Sequence, residues 1–238
     1  MDPIKVDQAL AALRRQAEKA AETEAASIGK TSRSVSDREG WEKRLTAAGI
    51  QKRFWRCTFA KMERFGLPDE QQEPFRRARA YADHFQSYME KGVGLFFMGP
   101  VGTMKTSLAV AVAQEVMQAG KRVFFISMAE LLDTILTMSR KRDAAEAIAF
   151  EDRIRQVRLL IIDDMGAEYP RDWITNKVDA IITARYNRML PVIITTNLSP
   201  GETEERYKLR TYDRIKSSSI VIKTTGTSRR RTPEEVGA

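Results

Sequence analysis

Residues 94–106 read Gly94-Leu95-Phe96-Phe97-Met98-Gly99-Pro100-Val101-Gly102-Thr103-Met104-Lys105-Thr106. Gly94–Met98 is an apolar run of strand length. The glycines and the proline after it enforce a tight turn. From Ser107 to Ala119 the pattern is helical, and Gly120 supplies the stop. A strand, a glycine-rich loop and a helix in this order predict a phosphate-binding loop. The chemistry explains the residue types. Glycines let successive N–H groups turn toward phosphate oxygens, and a helix N-terminus adds partial positive charge. Lys105 is expected to reach the β- and γ-phosphates, and the Thr106 hydroxyl to ligate Mg²⁺. Ser107 completes the stretch of expected nucleotide contacts. One residue departs from the pattern: Met104 stands where glycine is usual. Its Cβ fits if the backbone there is αR and the side chain points away from the nucleotide; otherwise it weakens binding. The competing reading of the whole segment is a Gly-Pro turn before an ordinary helix.

Further along, apolar strands alternate with helices. Strands are predicted at Arg122–Ser127, Leu159–Ile162 and Val192–Thr195. Helices are predicted at Glu130–Arg140, Ala144–Arg155 and Asp172–Met189. Strands this apolar, separated by helices, predict a parallel sheet covered on both faces. The run Leu159-Leu160-Ile161-Ile162-Asp163-Asp164 ends in two carboxylates. Adjacent acids at the end of a buried strand are costly unless a cation or a reaction needs them. Asp163 is expected to hold Mg²⁺ through its water shell, and Asp164 to orient or deprotonate an attacking water. On the next strand, Val192-Ile193-Ile194-Thr195-Thr196 leads into Asn197 at the ligand edge of a parallel sheet. Asn197 either holds the γ-phosphate or the water, or caps a helix.

Upstream the chain has a different character. Asp2-Pro3 opens a helical pattern, with Val6, Leu10, Leu13, Ala17 and Ala20 forming a narrow apolar stripe. It reads equally as a partner-docking helix or as a marginal helix that lies on its own domain or frays in water. Ser27–Ser36 reads as a linker. Its Gly29-Lys30-Thr31-Ser32 mimics a phosphate loop but has no strand before it. Helical patterns follow at Asp37–Ala48 and Glu70–Lys91. Between them, Arg53-Phe54-Trp55-Arg56-Cys57-Thr58-Phe59 interleaves bases with aromatics, which suits packing at a domain edge better than base stacking. The expected organisation is residues 1–35 as a partner-binding helix and linker, 36–91 as a helical lead-in, and 92–238 as the core.

Composition excludes several alternatives. The 238 residues are 42% hydrophobic, enough for a globular core. A single cysteine, Cys57, excludes a disulfide framework, and a single histidine, His84, argues against a histidine metal site. No stretch approaches the roughly 18 apolar residues of a membrane span. Met1–Ala20 lacks the apolar segment of a secretory signal, so a cytoplasmic location is expected. The net charge is +8, and residues 206–231, with nine bases and one acid, carry an excess equal to all of it.

Taken together, these motifs resemble the AAA+ ATPases, and within them the DnaC/IstB-like group that includes bacterial helicase loaders. The resemblance covers about Ala48 to Arg230. Gly99–Thr106 is similar to Walker A, Leu160–Glu168 to Walker B, and Thr195-Thr196-Asn197 to sensor 1. Tyr212-Asp213-Arg214-Ile215 resembles the box carrying an arginine finger, and Gly226-Thr227-Ser228-Arg229-Arg230 the closing Gly-x-Ser-x-Arg. The run Ala48-Gly49-Ile50…Phe54…Thr58-Phe59 resembles the segment leading into a loader core. Walker motifs are shared by many NTPases; their combination with Asp-Asp-x-Gly and Thr-Thr-Asn is more specific. Met104 replaces the usual glycine, Asp164 replaces the usual glutamate, and Ser217-Ser218-Ser219 stands where a second arginine is common.

The resemblance implies an α/β fold of P-loop NTPase, AAA+ type, with no C-terminal lid domain and a helical N-terminal region. It implies ATP and Mg²⁺ bound between protomers of a homo-oligomer that assembles with ATP. Lys105, Thr106, Asp163, Asp164 and Asn197 would come from one protomer, and a finger from its neighbour. Arg214 is the finger favoured, with Arg206 and Arg210 as alternatives, and Arg230 is a further nucleotide contact. The implied function is loading or remodelling a replicative DnaB-type helicase on single-stranded DNA, gripped through residues 1–35. Arg140, Lys141 and Arg142 fall where the group presents helices to DNA, or else form a solvated helix end. The alternatives are a transposase helper ATPase on duplex DNA and a weakly hydrolysing, nucleotide-gated DNA-binding module.

Overall fold

The computed structural model describes residues 37–141, 144–168 and 171–228. The stripe at Val6–Ala20, the linker, Arg142 and Arg230 lie outside the described residues. The chain divides into two units between Ala47 and Ala48. In the first, residues 37–47 form helix α1, where Arg38 pairs with Glu42 one turn on, at 3.0 Å.

The second unit holds the sheet. After a 3₁₀ turn at Lys52–Phe54 come α2 (Phe59–Phe65), α3 (Asp69–Asp83) and α4 (Phe85–Glu90). The alternating part then runs β1 (Gly94–Met98), α5 (Lys105–Gln118), β2 (Val123–Ser127), α6 (Met128–Lys141), α7 (Ala144–Gln156), β3 (Leu159–Met165), α8 (Asp172–Asn187), β4 (Val192–Thr196), α9 (Pro200–Ser217) and β5 (Ser219–Lys223). The strand order is β2-β3-β4-β1-β5, and every pairing is parallel. The first strand is therefore interior, between β4 and β5, and the chain crosses over it once, from β4 to β5.

Alternation along the strands sorts the two faces. Phe96, Phe124, Ile126, Leu160, Ile162 and Ile194 share one core with Leu131 of α6, Ile154 of α7 and Ile174, Val178, Ile181 and Ile182 of α8. On the other face lies α5, whose Leu108, Val112 and Val116 are buried, and α3 packs against α5. Gly120 ends α5 in the left-handed conformation at φ 77°. The Lys121 N–H reaches back to Val116 O and the Gly120 N–H to Met117 O, which satisfies the helix's last carbonyls.

Several elements differ from the sequence reading. The helix expected over Glu70–Lys91 is broken at His84, where φ is −111° and ψ 21°. None of α2, α9 and β5 was read from the sequence. For α9 a signal is present: Ser199 and Glu202 form a reciprocal capping box, with Pro200 at the first position. β5 is an edge strand, half-buried apart from buried Ile222 and exposed Lys223, so its Ser-Ile-Val-Ile-Lys carries a weak apolar pattern.

Among the described residues, no helix is long and apolar enough to cross a membrane.

Candidate active site

The C-terminal ends of β2, β3 and β4 and the loop after β1 converge on one cleft of about 1090 Å³. Its floor is the loop 99–104. The first bond within α5 runs from the Leu108 N–H to Met104 O, so the amides just before Leu108 begin the helix. By position, such amides have no partner inside their own helix, and they form an anion cradle. Lys105 is 6% exposed. Its ammonium donates to the carbonyls of Gly99 at 2.7 Å and Pro100 at 2.6 Å, which hold it across the loop.

The loop is braced from behind by the segment after β5. The Thr224 N–H donates to Met98 O at 2.7 Å, and the hydroxyls of Thr103 and Thr224 meet at 2.6 Å. At Gly102 the backbone has φ 82°, and an added Cβ would lie 2.7 Å from the Ser228 Cα. Glycine is required there by both conformation and space. Thr103 is thus a support, its hydroxyl engaged by Pro100 O and Thr224.

Met104 departs from the condition set out above. Its backbone is left-handed, φ 66° and ψ 7°, and not αR. The loop keeps the conformation that glycine ordinarily supplies, and a methionine bears the strain, about 1–2 kcal/mol for an L-residue.

Asp163 and Asp164 separate in role. The Asp163 carboxylate is 9% exposed. It accepts the Thr106 hydroxyl at 2.8 Å and the Thr195 hydroxyl at 2.7 Å, both on Oδ1. Burial pushes its pKa above the usual carboxylate range. The two hydroxyls and Lys105 oppose that rise, and Asp164 adds to it. Asp164 is exposed, at a left-handed φ of 57°, where the β3–β4 register shifts between Ile162 and Met165. This irregularity turns Asp164 out into the cleft while its neighbours stay in. The Asp164 N–H donates to the Thr195 hydroxyl at 2.9 Å, and Asn197 Nδ2 donates to Asp164 Oδ1 at 2.7 Å. Ser199 and not Asn197 caps α9, so the helix-capping reading of Asn197 is set aside.

Thr195 therefore ties both acids to β4, a role that the sequence reading missed. A signal was there: Thr195 follows Ile194, which pairs with Ile162, the residue before Asp163. The aromatic segment was also read too narrowly. Phe59 is core, as expected, but Arg53, Phe54, Arg56 and Cys57 form a wall of the cleft. Burial pushes the Cys57 thiol up, opposed first by the Ser107 hydroxyl that contacts it.

The three arginine candidates lie on α9, and none lines the cleft. Arg214 Nη1 stands 3.4 Å from Asp179 Oδ1, which also accepts the Thr211 hydroxyl at 2.8 Å. Arg206 is half-buried and donates to Glu168 O. Arg210 is exposed. Arg140 and Lys141 fall in the last turn of α6.

The donor set fits Mg²⁺. A hard cation of this kind takes one or two protein oxygens and fills its shell with phosphate and water. Thr106 and Asp163 present two such oxygens side by side. Among the described residues there is no cluster of three or more His, Cys, Asp or Glu that would favour another metal.

The family described as IstB-like ATP binding protein matches residues 4–235. The chain belongs to this family. Within the IstB-like family and its neighbours, the replicative helicase loader DnaI of Bacillus subtilis is 26% identical over 163 residues, 62% of this chain. That match spans 51% of DnaI, so this chain aligns with only about half of its length. A putative insertion sequence ATP-binding protein of Sinorhizobium fredii is 31% identical over 116 residues, 49% of this chain and 38% of that protein. The crystal structure of the DnaC helicase loader superposes with a TM-score of 0.66 at 24% identity, covering 74% of this chain and all of that one. The IstB-like core is thus a parallel five-stranded P-loop sheet of AAA+ type.

Proposed function

We propose that the chain binds and hydrolyses ATP at protomer interfaces in order to load or remodel a replicative helicase on single-stranded DNA. The observation that supports hydrolysis most is the placement of Asp164. It is turned out of the sheet into the cleft, fixed by Thr195 and held 2.7 Å from Asn197. In this reading Lys105 leaves its two carbonyls to bind phosphate. Thr106 and Asp163 hold Mg²⁺, which when bound offsets the charge of the phosphates. Asp164 accepts a proton from the attacking water, and Asn197 keeps its carboxylate aimed. An arginine from a neighbouring α9 completes the charge stabilisation. Arg210 is exposed for that task, whereas Arg214 must first leave Asp179.

The test is steady-state ATP turnover with single-stranded DNA, for the wild type beside Lys105→Ala and Asp164→Asn. The variants are expected to lose about 100-fold or more. A wild type no faster than its variants would reduce the protein to a nucleotide-gated binding module. The helicase part is read from the DnaI and DnaC likenesses, with residues 1–35 as the grip and a cytoplasmic site of action. Helicase capture that survives deletion of 1–35 would remove that part. A second reading is a transposase helper on duplex DNA, favoured by the 31% identity to the insertion sequence protein. ATP-dependent assembly on duplex and not on single-stranded DNA would select it.

A further inference from the structure

We propose that Glu168 and the Tyr207 hydroxyl form a clasp that sets the position of Asp164, which makes Glu168 a positioning residue for hydrolysis. The inference rests on the ATPase reading above and names two residues to which that reading gives no role.

Glu168 lies four residues beyond Asp164, at the far end of the turn that follows β3. Its side chain bridges two places. Oε2 accepts the Gly166 N–H at 2.9 Å, inside the turn. Oε1 accepts the Tyr207 hydroxyl from α9. Its backbone carbonyl accepts Arg206 from the same helix. One glutamate thus ties the Walker B turn to α9 at two points. Tyr207 is fully buried in the core cluster, so the α9 end of the clasp is fixed. Burial and the Glu168 carboxylate both push the phenol above its usual range, and it stays a donor.

The turn needs such a hold. Asp164 has a left-handed φ of 57°, a conformation that persists only where its surroundings over-determine it. From the β4 side, the Thr195 hydroxyl takes the Asp164 N–H, and the Thr196 hydroxyl donates to Met165 O at 2.6 Å. Those bonds secure the strand end. Beyond it, Gly166 has φ 99° and sits where an added Cβ would lie 2.4 Å from Leu198 Cδ1. The turn is pressed against the β4–α9 connection, and the clasp is what holds its far end there. Released from Glu168, the turn can relax the strain at Asp164 by rotating the carboxylate away from Asn197. The reacting geometry would loosen, while the loop 99–104, braced by Thr224, would not.

Full-length Tyr207→Phe, Glu168→Ala and Glu168→Gln test this by ATP turnover and thermal melting. Tyr207→Phe removes one oxygen and leaves the ring in its core site. It is expected to lower kcat about tenfold, with KM for ATP and Tm close to wild type. Glu168→Ala is expected to do the same or worse. Glu168→Gln is expected to keep most of the activity, because its amide oxygen can accept Gly166 and its amide nitrogen can donate to the phenol oxygen. Wild-type kcat in Tyr207→Phe and Glu168→Ala overturns the clasp. So does a joint fall of kcat, ATP affinity and Tm, the signature of a purely structural contact, or a Glu168→Gln as inactive as Glu168→Ala. Lys105→Ala run in parallel separates the two levels. If the wild type turns over no faster than that variant, the ATPase reading fails and the clasp with it. If it does turn over, only the clasp is at stake.

Discussion

The two ends of the same strands bury charge in opposite ways. At the N-terminal ends of β3 and β4 sits Arg185 of α8, with no exposed surface. Its guanidinium donates to Ile154 O at 2.7 Å, Val157 O at 3.0 Å and Pro191 O at 2.8 Å. It ties the end of α7 to the lead-ins of both strands. Burial, with Arg188 nearby, pulls its pKa down to about 9, so it remains charged at neutral pH. At the C-terminal ends sit Lys105 and Asp163, 6% and 9% exposed. Here the backbone is strained at Met104 and Asp164, and the buried carboxyl is pushed toward its neutral form. One end satisfies its charge with fixed carbonyls. The other keeps charge in a state that a polyanion and a cation would relieve. The first arrangement supports the sheet, and the second is suited to binding and turnover.

The sharpest way to break this contrast is at the structural end. Arg185→Leu strips three buried carbonyls of a donor and is expected to cost about 3 kcal/mol in a denaturant titration. A loss below roughly 1 kcal/mol would mean that Arg185 is no girder. At the site end the sign reverses. Asp163 has a raised folded pKa, so its contribution to stability is present below the unfolded value and is lost as pH rises through the folded one. At neutral pH the ionised group therefore costs stability. Asp163→Asn, without ATP or Mg²⁺, is expected to melt above the wild type at pH 7. The gap should close in acid, and ATP turnover should be lost. A lower Tm at pH 7 would contradict the contrast. The smallest effect is expected for Met104→Gly. Release of left-handed strain, about 1–2 kcal/mol, is offset by the greater freedom of glycine in the unfolded chain, about 0.5–1 kcal/mol. A stability gain of at most about 1 kcal/mol should accompany nearly unchanged turnover. A tenfold rise in turnover would show instead that methionine distorts the loop.

Much of this was legible in the residues, for identifiable reasons. β1, its loop and α5 were readable because glycine, lysine and an apolar run each answer to one local constraint. The apolar run of β3 was bounded at Ile162, with the two carboxylates placed at the strand's end. The strand in fact runs through Asp163 to Met165, since an inward carboxylate with two hydroxyl partners can remain in a ladder. Arg185 was overlooked although its spacing gave it away. It follows Ile174, Val178, Ile181 and Ile182 on the buried stripe of α8, where a charge has no place without partners. The three carbonyls that it meets come from other elements, and no local pattern contains them. The clasp is similarly nonlocal: 39 residues separate Glu168 from Tyr207.

The strand order has a consequence in time. β1 is made early, but its outer neighbour β5 and the threonine behind the loop come late: 121 residues separate Thr103 from Thr224. At roughly 5–20 residues per second, a ribosome needs on the order of ten seconds to cover that distance. A nascent chain therefore displays its glycine loop long before the loop is braced. The loop gains its brace only when residues 219–228 arrive, the same residues that add the last strand to the sheet.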